Sequence, residues 1–343
     1  MKQPEPRGPV SSLLLETLSG PEQRTSGSRE LIAAVDEAVA ATPDLAFDED
    51  LQLTLFCLFE LHYGGIDGVD DSWEWHPDLI SERRRLEQAY ESQLRSAVSL
   101  PALPAPTSAG VAAGLFQLTG DDGGPSMSRY VAKTASEEQV REFLIQKSIY
   151  TLKEADPHTW AIPRLTGRAK AAMVEIQADE YGGGVPERMH SALFAQSMRG
   201  AGLDDGYGNY LDAVPAITLA SSNLMSMFGL NRRLRGAIVG HLASYEMTSS
   251  QANRLYARGF RRLGYDDATA AYFDEHVEAD AVHEQIAGRD LAGGLVEAEP
   301  ALLEDVFFGA AAAMTVDTWM TEHILGAWTA GSSSLRTSST VSA

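Results

Sequence analysis

Three residues in the stretch from Tyr272 to Glu284 carry the clearest chemical signal in this chain. His276, Asp280 and His283 stand at i, i+4 and i+7. On a helix turning about 100° per residue, those offsets fall within roughly 60° of one another. Two imidazoles and a carboxylate therefore share one face, flanked by Phe273, Val277 and Val282. That donor set suits iron, and also zinc or manganese. The competing reading is a solvated, charged helix face, and the spacing alone does not choose between them.

One helix face leaves a metal short of ligands, so acids and histidines elsewhere matter. Four places offer them. Glu154 follows an apolar helical run in Tyr150-Thr-Leu-Lys-Glu-Ala-Asp-Pro, and Asp179 and Glu180 stand just before Gly182-Gly183-Gly184. His190 sits beside Met189 and Leu193, and Glu246 interrupts an otherwise apolar helical stretch. A buried carboxylate is costly unless paired or bound to metal, which singles out Glu246 if it faces inward. Glu187-x-x-His190 and Asp280-x-x-His283 echo the Glu-x-x-His pairs of ferritin-like bundles, with Glu154 and Glu246 as lone acids. That pattern leaves His276 unused. Glu60, His62, Asp67, Asp70 and Asp71 also cluster, but in a Gly-rich turn where aspartate is favoured for its backbone, so packing or capping is expected there. His76, His158, His241 and His323 have no partner at ligand spacing and read as structural.

The elements around these residues are helical. Apolar residues recur at helical spacing from Arg29 onward, no period-2 alternation is sustained, and no phosphate loop is present. The fold class is all-α. Residues 1–28 read as a poorly ordered leader rich in Pro, Gly and Ser, and 29–99 as accessory helices, with Trp73 and Trp75 as packing anchors. Residues 100–126 read as a linker, 127–330 as the main helical domain, and 331–343 as a Ser/Thr-rich tail. Lys and Arg total 27 against 48 Asp and Glu, a formal charge of -21. That balance disfavours nucleic acid and anionic membranes as partners. The single cysteine, Cys57, excludes an internal disulfide. With no signal-like or membrane-spanning stretch, the expected location is the cytoplasm.

The run Glu154-Ala-Asp-Pro-His-Thr-Trp-Ala-Ile-Pro-Arg-Leu, then Gln177-Ala-Asp-Glu-Tyr-Gly-Gly-Gly with Arg188-Met-His190, then Tyr245-Glu246-Met and the His276/Asp280/His283 triad, resembles the heme-oxygenase-like diiron oxidases and oxygenases, also called iron-containing redox enzymes. The resemblance covers roughly residues 130 to 290. It implies a heme-oxygenase-like helical bundle with additional N-terminal helices. It also implies Glu180, His190, Glu246, His276, Asp280 and His283 as ligands of two non-heme irons, with O₂ as cosubstrate. Glu154 matches an extra carboxylate of the N-oxygenating branch. Ten residues separate Glu180 from His190, off a single helical face, so the glycine run must bend the helix there; otherwise Asp179 or Glu187 takes Glu180's place.

The leading expectation is an O₂-dependent enzyme that N-oxygenates an amine or amino-acid-derived small molecule. A desaturase or C–C lyase acting on an amino acid or fatty acid is the alternative, and a metal-binding bundle without turnover is the non-enzyme alternative. The thiamine-degrading relatives of this fold are disfavoured, because Cys57 lies outside the resembling region. Asp179, Tyr181 and Tyr245 are expected to hold the ligands in place. Arg164 and Arg168 are the candidates for clamping a substrate carboxylate, although a solvated helix face is the favoured reading of both. Residues 29–99 are expected either to dock on the core or to make a homodimer contact, and an external electron donor is the other candidate partner.

Overall fold

A computed structural model describes residues 1–20, 25–120 and 124–336, with the side chains of 25–29 and 278–281 outside that description. Every regular element among the described residues is helical. The chain divides into two compact units, one built from 1–97, 207–223 and 335–343, the other from 98–206 and 224–334.

The first unit is arranged around the helix Glu49–Glu60, which is buried on every side from Leu51 to Glu60. Asp48 starts it by accepting from the amides of Asp50 and Leu51, which would otherwise lack partners. The buried Gln52 is met by Asn223, whose amide donates to both its backbone and side-chain oxygens at 2.9 and 2.8 Å. The leader expectation does not hold over its first part, because Pro9–Leu18 is a helix. Val10, Leu14, Leu15 and Leu18 form its buried stripe, and Asp50 takes the amides of Val10 and Ser11 at 2.8 and 2.7 Å. Four apolar residues at helical spacing outweighed the surrounding Pro, Gly and Ser. Trp73 is buried as expected, whereas Trp75 is 64% exposed and meets His62 edge-on, with ring centroids 4.9 Å apart.

The second unit has the helix Arg235–Arg262 at its centre, packed against Asp267–Gln285 on one side and Leu303–Thr329 on another. At the latter crossing the backbones nearly touch. A Cβ on Gly240 would lie 1.8 Å from the Val306 carbonyl oxygen, and one on Gly309 would lie 2.0 Å from that of Ala237. The central helix runs unbroken through the polar stretch Thr248-Ser249-Ser250. Thr248 donates to the Ser244 carbonyl and Asn253 to Ser249 Oγ, so these polar side chains bond within the helix instead of ending it. The expected linker contains a helix, Ser108–Leu118, capped by Thr107, with Val111, Ala112 and Leu115 buried. Part of the expected tail is also held. Ser334 gives its amide and hydroxyl to Glu142 at 2.8 and 2.7 Å, while 337–343 lie outside the described residues.

Candidate metal centre

Five segments of the second unit converge on one cluster. Glu154 stands in the turn after Glu137–Thr151. That turn is tight, since Ala155 adopts φ 78°, a conformation costly for a residue with a Cβ. Gln177 holds the turn by donating to the Ala155 carbonyl and to Thr159 Oγ1. Glu180 is the last residue of Gly167–Glu180, and His190 is the first of His190–Gly200. The glycines between them end the helix rather than bend it, with φ of 66°, 62° and 82° at Gly182, Gly183 and Gly184. At Gly182 a Cβ would also lie 2.6 Å from the backbone of Arg188 and Met189. This reversal sets His190 Nδ1 3.0 Å from Glu180 Oε2. Glu246 comes from the central helix, and His276 and His283 from Asp267–Gln285.

The donor atoms of Glu154, Glu180, His190 and His276 lie within 4.8 Å of one another, as do those of Glu180, Glu246 and His283. Glu180 belongs to both sets. The two sets are therefore halves of one centre, which offers three imidazoles and three carboxylates. The spacing of His276 and His283 put both on the same cluster as expected. The side chain of Asp280, expected beside them, lies outside the described residues.

Two of the three imidazoles, His276 and His283, are oriented by a second partner. The Nδ1 of His276 donates to the Tyr272 carbonyl at 2.8 Å, which leaves Nε2 for the cluster, 3.9 Å from Glu154 Oε1. His283 lies between two acids, with Nδ1 3.4 Å from Glu246 and Nε2 3.0 Å from Asp179. Tyr272 contributes a second time, its hydroxyl standing 2.9 Å from each oxygen of Glu154.

The electrostatics reflect acids and imidazoles crowded in a dry site. Burial, helped by nearby Glu180, pushes the Glu154 carboxyl up to about 8. Burial acts the same way on Glu180, but the hydrogen bond and charge of His190, with His276 and His283, hold it below its ordinary value. Burial and the neighbouring His190 bring His276 down to about 4. Burial opposes charge on His283 too, yet Glu246 and Asp179 push it up to about 9. Three carboxylates gathered among imidazoles and a phenol make a site whose charge a multivalent cation would balance. The nitrogen and oxygen donors suit iron. The residues fit a dinuclear metal site.

Other expected residues lie elsewhere. Glu187 is exposed in the turn before His190, so the ferritin-like pairing is not formed, and Asp179 holds His283 from behind. Arg164 caps the end of Ala216–Leu230 through the carbonyls of Gly229 and Leu230, and Arg168 is bound at the surface by Asp290 and Glu297. Neither guanidinium is directed to the cluster. Tyr181 bonds Asp156 and Thr159 rather than a ligand. Tyr245 stacks on His241, with ring centroids 4.3 Å apart. In the first unit His62 contacts Glu74 and Arg83, and Glu60 accepts from Tyr207, which is packing as expected. The Cys57 thiol is buried and pushed up by burial, hence unreactive.

Two features had no local signature. Tyr272 is set four residues before His276, and only the helix connects its two roles. His158 and His241 form a fully buried pair 3.1 Å apart despite standing 83 positions apart in the sequence. Burial lowers both, His158 to about 4. An apolar flank around His241 was the one local hint.

A sequence profile of the iron-containing redox enzyme family matches residues 141–318, just over half of the chain. All six cluster residues fall inside that match. A nitrosourea synthase from Streptomyces achromogenes subsp. streptozoticus is 28% identical over 162 residues, which is 47% of this chain and 34% of that protein. The chain thus matches about a third of that relative's length. The chain belongs to the iron-containing redox enzyme family, with the all-helical, heme-oxygenase-like bundle of that family.

Proposed function

We propose that this iron-containing redox enzyme holds two irons through Glu154, Glu180, His190, Glu246, His276 and His283, joined by Asp280, and uses O₂ to oxygenate the nitrogen of an amine or amino-acid-derived substrate. The observation that carries this reading is the sharing of Glu180 between the two donor sets, because a carboxylate common to both is placed to bridge two metals. The extra acid Glu154 and the likeness to a nitrosourea synthase favour nitrogen as the oxidised atom. Bound iron supplies the reduction of O₂: with two electrons and two protons from a donor, one oxygen atom enters the N–H bond as hydroxyl and the other leaves as water.

The chain's own groups do the rest. Tyr272 and Asp179 hold the imidazoles with Nε2 of His276 and Nδ1 of His283 facing inward, which keeps the donors in place before any metal arrives. Burial of five of the six ligands, with Glu154 partly covered, excludes bulk water from the reacting centre. The acidic cluster and the net charge of -21 attract cationic amines rather than anionic substrates.

The test is anaerobic Fe(II) loading followed by ¹⁸O₂, a chemical reductant and a panel of amines and amino acids. An ¹⁸O atom found on nitrogen, absent in the His276→Ala protein, is expected. Substrate-dependent O₂ consumption that yields only dehydrogenated or cleaved products would replace N-oxygenation with desaturation or lysis, and no O₂ consumption would remove the enzymatic reading.

A further inference from the structure

Tyr272 touches the cluster twice, and one of these contacts limits what a ligand can do. Its hydroxyl oxygen is 2.9 Å from both Oε1 and Oε2 of Glu154. A single phenolic donor equidistant from the two oxygens occupies the mouth of the carboxylate, where a chelated metal would sit. Oε1 is the oxygen turned toward His276, 3.9 Å from its Nε2. The phenol is not free to swing away. Its ring is buried, packs edge-on against Phe194 and Phe273, and is anchored at the backbone by the His276 bond.

We propose that Tyr272 is a positioning residue that confines Glu154 to one-oxygen ligation and so keeps a further coordination position open on the metal held by Glu154, Glu180, His190 and His276. The four described donors, giving one atom each, would leave two of the roughly six positions of an octahedral ion. Chelation by Glu154 would leave one. The hydroxyl therefore decides whether that metal accepts a small molecule binding through two atoms, a stricter requirement than holding the metal. This inference rests on the dinuclear reading above.

Co(II) is the probe metal and acetohydroxamate, which needs two neighbouring positions, the probe ligand. The His283→Ala background confines the ion to the set containing Glu154, and binding is followed by visible absorption. Adding Tyr272→Phe, which keeps the ring and its packing, is expected to leave one Co(II) bound and to weaken acetohydroxamate at least tenfold. Adding Glu154→Ala on top should restore the probe's affinity, because the hydroxyl acts only through that carboxylate. Glu154→Ala without the Tyr272 change should bind the probe at least as tightly as the background, which keeps the test independent of how the Phe variant folds. Unchanged probe affinity after Tyr272→Phe, loss of Co(II) from it, or weaker binding after Glu154→Ala would each overturn the proposal. Absence of Co(II) from the unmodified protein would instead remove the dinuclear reading.

Discussion

The reversal between Glu180 and His190 can be tested at single-atom resolution. Gly182 and Gly183 are neighbours with nearly the same left-handed φ, 66° and 62°. They differ in surroundings: a Cβ at Gly182 would meet the Arg188 carbonyl carbon and the Met189 nitrogen at 2.6 Å, while one at Gly183 meets nothing within 4 Å. Alanine at either pays the left-handed penalty, about 1–2 kcal/mol. At Gly182 backbone atoms must also move, which adds about 1–3 kcal/mol by analogy with overpacking. Gly182→Ala should thus destabilise by about 2–5 kcal/mol and Gly183→Ala by about 1–2. The displaced backbone leads directly into His190, so Gly182→Ala should also weaken metal binding, and Gly183→Ala should leave it near wild type. Urea denaturation of the metal-free proteins gives the first comparison and anaerobic Fe(II) titration the second. Equal effects of the two substitutions on both measurements would refute the claim that this close approach builds the site.

Three other expectations follow from single contacts. Asp179→Asn removes the acid behind His283 and should weaken one of the two metals by about 10–100-fold while sparing the other; equal weakening of both, read by titration, would contradict it. Burial works against the Glu142 carboxylate, but hydrogen bonds from Ser333, Trp328 and Ser334 hold it below its ordinary value of 4.5. Its contribution is therefore present above pH 4.5 and lost as pH falls through the lower folded value. Glu142→Gln should cost about 1–3 kcal/mol at pH 7, with the difference from wild type shrinking in acid; a pH-independent difference in urea midpoint would argue otherwise. Arg168→Ala removes only exposed pairs to Asp290 and Glu297, so stability should change by less than about 1 kcal/mol and turnover should persist. Lost turnover with intact metal binding would return Arg168 to the role of substrate clamp.

What the sequence made legible was local. His276 and His283 could be placed on one face because helical geometry alone relates them, and Glu246 stood out as an acid in an apolar helix. Glu180 and His190 were legible only with the break at Gly182 to Gly184, whose three left-handed residues no helical projection describes. Contacts across the fold were not legible. Tyr272 reaches Glu154 over 118 positions, His158 meets His241 over 83, and Asn223 satisfies Gln52 over 171. Nothing in the neighbourhood of these residues announces a partner. Arg168 lies at the surface, the reading its sequence favoured, while Arg164 is taken by a helix end that its sequence neighbours do not show. The Pro9–Leu18 helix was hidden by composition, although its apolar spacing was visible.

The measurement that tests the account most directly is metal stoichiometry by anaerobic Fe(II) titration of four proteins. The account predicts two irons per chain in wild type, one in His276→Ala, one in His283→Ala, and loss of tight binding at both positions in Glu180→Ala, because among the described residues Glu180 alone serves both sets. One iron in wild type, or a Glu180→Ala protein that keeps one tight iron, would contradict a dinuclear centre bridged by Glu180.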